Sequence, residues 1–112
     1  MVHVNIGLAN AVMEVINAAS DNIPVLVMSG HTPITETDRF GSRATPIQYG
    51  QKIYDQNSLV CDVVKFNYGI RYPEQGTPLV NRALTIAKSK PQGPVYLSLP
   101  REPLGDEIPA SA

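Results

Sequence analysis

The chain has 112 residues with 43% apolar content, enough for one small domain with a real core but little to spare. Nine basic against ten acidic residues give a net charge of −1 with no basic block, which argues against nucleic acid or an anionic membrane as a partner. The 17% charged content falls below the ~25% usual for soluble chains, so part of the surface is expected to be covered by something else.

Cys61, the single cysteine, excludes an internal disulfide framework and fits a reducing cytosol. The apolar runs are too short to span a bilayer, and Met1 to Asn5 lack the regions of a signal peptide, so a cytoplasmic location is expected.

Val2-His3-Val4 alternates like the tail of a strand, expected over 2–5, and Asn5-Ile6-Gly7 turns it into a helix. Leu8, Ala11, Val12, Val15, Ile16 and Ala19 then recur at helical spacing. Ser20-Asp21-Asn22 competes for backbone hydrogen bonds and ends the helix, and Pro24 opens the second strand, expected over 24–29. Val25-Leu26-Val27-Met28 is an uninterrupted, β-branched-rich run of the kind buried in parallel sheets. Ser29-Gly30-His31 punctuates its carboxyl end, the edge at which open α/β sheets bind ligands. A glycine there lets backbone approach a ligand, and a titratable ring follows it.

From Thr32 to Gln56 the pattern dissolves into Thr, Pro, Gly and mixed charge, with Tyr49 and Tyr54 as the expected pins. Asn57 or Ser58 is expected to cap a brief turn through Leu59, Val60 and Cys61, the last as a core or half-buried thiol. Strand chemistry returns over 63–68. Thr77-Pro78 reads as an N-cap followed by a first-turn proline, and Leu79, Val80, Ala83, Leu84 and Ala87 mark one apolar face. Lys88 and Lys90 suit the carboxyl end of that helix, and Val95 to Leu99 is the last strand, closed by Pro100. Arg101 onward reads as a tail.

Four strands with only two substantial helices imply a sheet with one bare face. Because the chain opens in mid-strand, it reads as the later part of a larger doubly wound domain. The expected fold class is a partial three-layer α/β/α arrangement with a mostly parallel sheet.

Four ordered blocks carry a family resemblance: Gly7-Leu8-Ala9-Asn10-Ala11-Val12, Asp21 to Gly30, Val64-Lys65-Phe66, and Pro91 to Pro100. Together they resemble the N-terminal, pyrimidine-binding domain of thiamine-diphosphate-dependent enzymes, in the acetolactate synthase and benzoylformate decarboxylase group. The resemblance assigns residues 1–104 to a partial pyrimidine-binding domain and 105–112 to a tail or the start of an interdomain linker. It implies thiamine diphosphate with Mg²⁺ as the cofactor of the complete enzyme and a 2-oxo acid as its substrate. It also implies a homo-oligomer, or partners that supply the missing enzyme halves. The Gly-Asp-Gly…Asn motif that holds Mg²⁺ in the family is absent from this sequence, and the ring-activating glutamate of the family would fall before Met1. A chain lacking both is expected to be inactive alone, because the cofactor's chemistry depends on groups that orient and polarise it.

On the same resemblance, His3 matches an active-site histidine of the benzoylformate decarboxylase-like sequences, four residues before Gly7. An imidazole there relays protons near neutral pH; the other reading is a frayed chain start with no role. Gly30 and His31 are the cofactor-binding candidates, His31 replacing a glutamine frequent in acetolactate synthases; the plainer reading is a polar strand end. Gly7 and Asn10 read as structural parts of the strand-to-helix turn. Glu36, Asp38, Glu74 and Glu102 lack ligand-like spacing, so no metal site is expected. The alternative function is a non-catalytic α/β binding or oligomerisation module.

Overall fold

The computed structural model describes residues 1–111. Helix α1 spans Val4–Ser20, strand β1 Leu26–His31, a short helix α2 Ile47–Gly50, and strand β2 Asn67–Gly69. Helix α3 then covers Gly76–Lys88, strand β3 Val95–Pro100, and a last short helix α4 Arg101–Gly105. The sheet is parallel with order β1-β3-β2, pairing Leu26 with Val95 through His31 with Pro100, and Asn67 with Tyr96 through Gly69 with Ser98.

Alternation along the strands splits the core into two layers, as the pleat requires. On one face Tyr96 packs with Leu8 and Val15 of α1 and with Val60; on the other, Val95 and Leu97 pack with Ala83 and Ala87 of α3. Every residue of β3 is buried, so the strand in the middle of the sheet is the one closed on both faces. The expected bare face is therefore not present: α1 and α3 lie on opposite faces. The uncovered apolar side chains instead include Ile6, Met13 and Ile16, along the outward side of α1.

The first expected strand, 2–5, shrinks to a single parallel bridge between Val2 and Ser29. Val2 N–H donates to the Met28 carbonyl at 2.9 Å and its own carbonyl accepts from Gly30 N–H at 3.2 Å. The chain then swings into α1 through Val4, whose φ of +39° lies in the left-handed region that β-branched residues avoid. Burial of the Val4 side chain holds this conformation, which costs on the order of 1–3 kcal/mol. Gly7 therefore sits inside the helix rather than in a turn. The lack of a Cβ still matters there, since one built on Gly7 would lie 3.1 Å from Val2 Cβ, tighter than ordinary contact.

The third expected strand, 63–68, begins pairing only where Lys65 N–H donates to the Pro94 carbonyl. Val63 and Val64 fold instead into a turn closed on the Val60 carbonyl and pack beside α1. Asp55, rather than Asn57 or Ser58, caps the 3₁₀ turn Gln56–Leu59 by accepting from Asn57 N–H at 3.1 Å. Val60 takes the core position there, which leaves Cys61 exposed rather than buried. Helix α3 starts before Thr77, so Thr77 is not its cap. At its other end the cation on the terminal carbonyls is Lys65, whose Nζ donates to Ile86 O at 2.7 Å and Ser89 O at 2.6 Å, a favourable charge for a helix carboxyl terminus.

The long segment after β1 is held by polar contacts rather than by its tyrosines. Tyr54 is fully exposed, and Tyr49 lies half open under the Arg43 guanidinium, 4.9 Å from the ring centre. Arg43 Nε donates to Pro33 O at 2.9 Å, while Glu102 Oε1 accepts from both the N–H and the hydroxyl of Thr35 at 2.8 Å. Glu102 is buried in α4, so residues 101–105 are part of the packed fold rather than a tail. The tail expectation reaches residue 112, which lies outside the described residues.

Burial opposes ionisation of Glu102, but the hydrogen bonds from Thr35 outweigh it and hold the carboxyl below its ordinary value of 4.5. A carboxyl depressed by folding adds stability that is complete above the ordinary value and is lost as the pH falls through the folded one. Urea unfolding should therefore weaken more steeply with acidification below about pH 4.5 in the native chain than in Glu102→Gln. Superimposable acid profiles would contradict this role for Glu102.

Candidate functional site

The carboxyl edge of the sheet gathers the site candidates. The bridge that pairs Val2 with Ser29 sets His3 level with Gly30, and the backbone of Gly30 approaches Val4, to which a Cβ would come within 3.8 Å. Gly7 belongs to the same corner, because its N–H donates to the His3 carbonyl at 2.7 Å. His3 is the N-cap residue of α1, extended at φ −92° and ψ 115°, with its side chain exposed and making no capping hydrogen bond. The backbone thus brings His3, Gly30 and His31 to one edge.

His31 is half-buried, and its Nδ1 lies 2.6 Å from the Thr32 carbonyl oxygen. A carbonyl only accepts, so Nδ1 carries the proton and Nε2 is left as a lone-pair acceptor. Burial pushes the ring's pKa down; the bond to Thr32 and the Glu102 carboxylate oppose that shift, and Lys52 and Arg43 reinforce it. At neutral pH the edge therefore presents a neutral imidazole with an available acceptor nitrogen.

Two further groups that sequence spacing does not mark come from residues next in the chain to this corner. The Thr32 hydroxyl and the Asn5 carboxamide oxygen are buried without a hydrogen-bond partner. They belong to the residue after β1 and to the first turn of α1. Orphaned buried polar atoms are rare enough in folded proteins to call for a partner. Sequence spacing carried no sign of them, since an isolated Thr and Asn mean nothing until the backbone sets them at one edge.

Gln56 is the other residue that the pattern concealed. Its side-chain N–H groups reach Ser29 Oγ at 2.8 Å, the Gly30 carbonyl at 2.8 Å and Tyr96 Oη at 3.1 Å, while Ser29 Oγ and Tyr96 Oη stand 2.6 Å apart. With the Gly30 amide bonded to Val2 and its carbonyl to Gln56, both backbone groups of Gly30 are already engaged within the chain. Gly30 is thus a place of close approach, and the hydrogen bonding to a ligand falls to its neighbours.

The donor set tests which part of a thiamine diphosphate this edge fits. Neutral acceptors and a hydroxyl suit an aminopyrimidine ring. Among the described residues no group of three or more His, Cys, Asp or Glu side chains is placed to hold a metal ion. No helix of the described residues is long and apolar enough to cross a membrane.

A two-faced parallel sheet with a polar site at its carboxyl edge defines the class as a three-layer α/β ligand-binding domain. The profile of the thiamine pyrophosphate enzyme N-terminal TPP binding domain matches residues 1–59, and the chain belongs to that family. It is similar to the acetolactate synthase isozyme 1 large subunit of Escherichia coli strain K12, at 30% identity over 98 residues, covering 86% of this chain and 16% of that protein. It is also similar to a 2-succinyl-5-enolpyruvyl-6-hydroxy-3-cyclohexene-1-carboxylate synthase of Chlorobaculum parvum, at 31% over 107 residues, covering 89% of this chain and 17% of that protein. The chain therefore spans about a sixth of the length of the curated relatives it matches. In fold it resembles the thiamine diphosphate-dependent 4-hydroxybenzoylformate decarboxylase of Rhodococcus jostii RHA1, with a TM-score of 0.74 at 23% identity, covering 98% of this chain and 19% of that one.

A histidine whose pKa is lowered by folding leaves stability complete above its ordinary value of 6.5, and that stability is lost as the pH falls below it, because the unfolded chain takes the proton first. The His31 ring followed by proton NMR should titrate with a midpoint below 6.5, in the Nδ1-protonated tautomer. A midpoint at or above 6.5 would contradict the buried, neutral ring.

Proposed function

We propose that this chain supplies the pyrimidine-ring side of the cofactor site of a thiamine-diphosphate-dependent 2-oxo acid decarboxylase or carboligase, and that it is inactive alone. The observation carrying this reading is the pair of buried, unpartnered neutral groups, the Asn5 carboxamide oxygen and the Thr32 hydroxyl, contributed by residues flanking the His3–Gly30 corner. Bound thiamine diphosphate supplies the carbanion chemistry. The chain's own residues orient and shield: Gly30 gives close approach, His31 Nε2 and Asn5 Oδ1 accept hydrogen bonds, and the Thr32 hydroxyl donates or accepts. His3, at the mouth of the edge, is the residue for moving a proton to or from the substrate.

On this reading residues 1–104 form the ring-binding unit and 105–112 lead toward other parts of the enzyme. The Mg²⁺ and diphosphate ligands come from a partner, either a second copy or a separate enzyme half, in line with relatives that are named as large subunits. The outward side of α1, with Ile6, Met13 and Ile16, is the surface such a partner would cover, since clustered exposed apolar groups mark interfaces.

Titration of the chain with thiamine and, separately, with inorganic pyrophosphate tests the reading by NMR. Thiamine should shift His31 and Thr32 weakly, pyrophosphate should shift neither, and light scattering should show association. Micromolar binding of thiamine diphosphate and Mg²⁺ by a monodisperse monomer, or a response to pyrophosphate alone, would overturn it.

A further inference from the structure

The loops leaving all three strands at their carboxyl ends enclose a second cleft of ≈ 430 Å³. Ile34 and Arg39 follow β1, Arg71 and Tyr72 follow β2, and Glu102 and Asp106 follow β3. A crevice of this volume, beyond the carboxyl ends of parallel strands, has the size and position of small-molecule sites.

Its charge pattern is unusual. Arg39 and Arg71 form no ion pair among the described residues, where the only pair is Arg43 with Glu36. Glu102 is 5% exposed; its Oε1 takes both Thr35 hydrogen bonds, and its Oε2 is buried with no partner. The same Thr35 bonds keep that carboxyl ionised at neutral pH, and an ionised oxygen left unpaired in the interior is costly until a donor meets it. Two cations and two carboxylates thus line one cleft together with the apolar side chain of Ile34 and the ring of Tyr72.

We propose that this cleft binds a small zwitterion with an apolar side chain, an α-amino acid. A simple anion would satisfy the arginines and leave two carboxylates facing it; a simple cation would do the reverse. An α-amino acid matches both signs: its carboxylate pairs with the Arg39 and Arg71 guanidinium groups, its ammonium donates toward the Glu102 and Asp106 carboxylates, and its side chain lies against Ile34 and Tyr72. The cleft lies at the same carboxyl edge as the ring-binding site but is lined by residues other than Gly30, His31 and Thr32.

The full chain titrated with L-phenylalanine and followed by backbone amide NMR tests this. Saturable shifts are expected at Thr35, Arg71 and Tyr72 with a dissociation constant of about 1 mM or tighter. Phenylpyruvate, which lacks the ammonium, and phenethylamine, which lacks the carboxylate, should each bind about tenfold more weakly. Arg71→Gln, at an exposed position, should keep a folded spectrum and weaken L-phenylalanine about tenfold. No saturable response to L-phenylalanine, equal binding of phenylpyruvate, or an Arg71→Gln chain that binds as before would each overturn the proposal. Thiamine is read at His31, so failure here leaves the cofactor reading standing, and the converse.

Discussion

Tyr96 is fully buried in the middle strand, and its hydroxyl must find partners there. Ser29 and Gln56 are those partners. Burial pushes the phenol's pKa above its usual range, so the group stays neutral and bonds as a hydroxyl. The consequence reaches past the core, because Gln56 comes from the far end of the long segment after β1 and its amide also binds the Gly30 carbonyl. One polar cluster thereby joins the middle strand, the edge glycine and the returning loop. Low local dielectric makes such a network strong when satisfied and expensive when broken.

The ends of that segment are tied by different chemistry. At its start, Thr35 is held by the Glu102 carboxylate, and Arg43 is bound to the Pro33 carbonyl. At its finish, Gln56 closes on the sheet. Between these ties the chain is mostly exposed turn and the short helix α2. A loop of this length stays ordered because its two ends are fixed by buried polar contacts, which also line the edge where both proposed ligands bind.

The parallel sheet and the two helices were legible because apolar periodicity reports burial directly: Leu8 and Val15 fall where the helix faces the sheet, and Val95 to Leu99 forms its middle strand. Boundaries were less legible. Val2-His3-Val4 has strand chemistry, yet only Val2 pairs, because the turn through Val4 starts the helix at once. Val63 and Val64 have strand chemistry too, but the core below α1 claims them before pairing begins. In sequence Glu102 looks like a loop acid, because nothing there shows that Thr35, 67 residues away, meets it. The edge glycine and His31 were visible as punctuation after a buried run. Gln56, Asn5 and Thr32 were not, since their roles arise from long-range placement rather than from spacing.

The central claim is that the Tyr96–Ser29–Gln56 cluster acts as one unit holding the carboxyl edge, and a double-mutant cycle in urea tests it most directly. Tyr96→Phe and Gln56→Ala should each cost about 1–3 kcal/mol, since each leaves buried polar atoms without a partner. The double variant should cost less than their sum by more than about 0.5 kcal/mol, because the second change removes groups that the first already stranded. Strictly additive losses, or a Gln56→Ala chain as stable as the native one, would contradict the account.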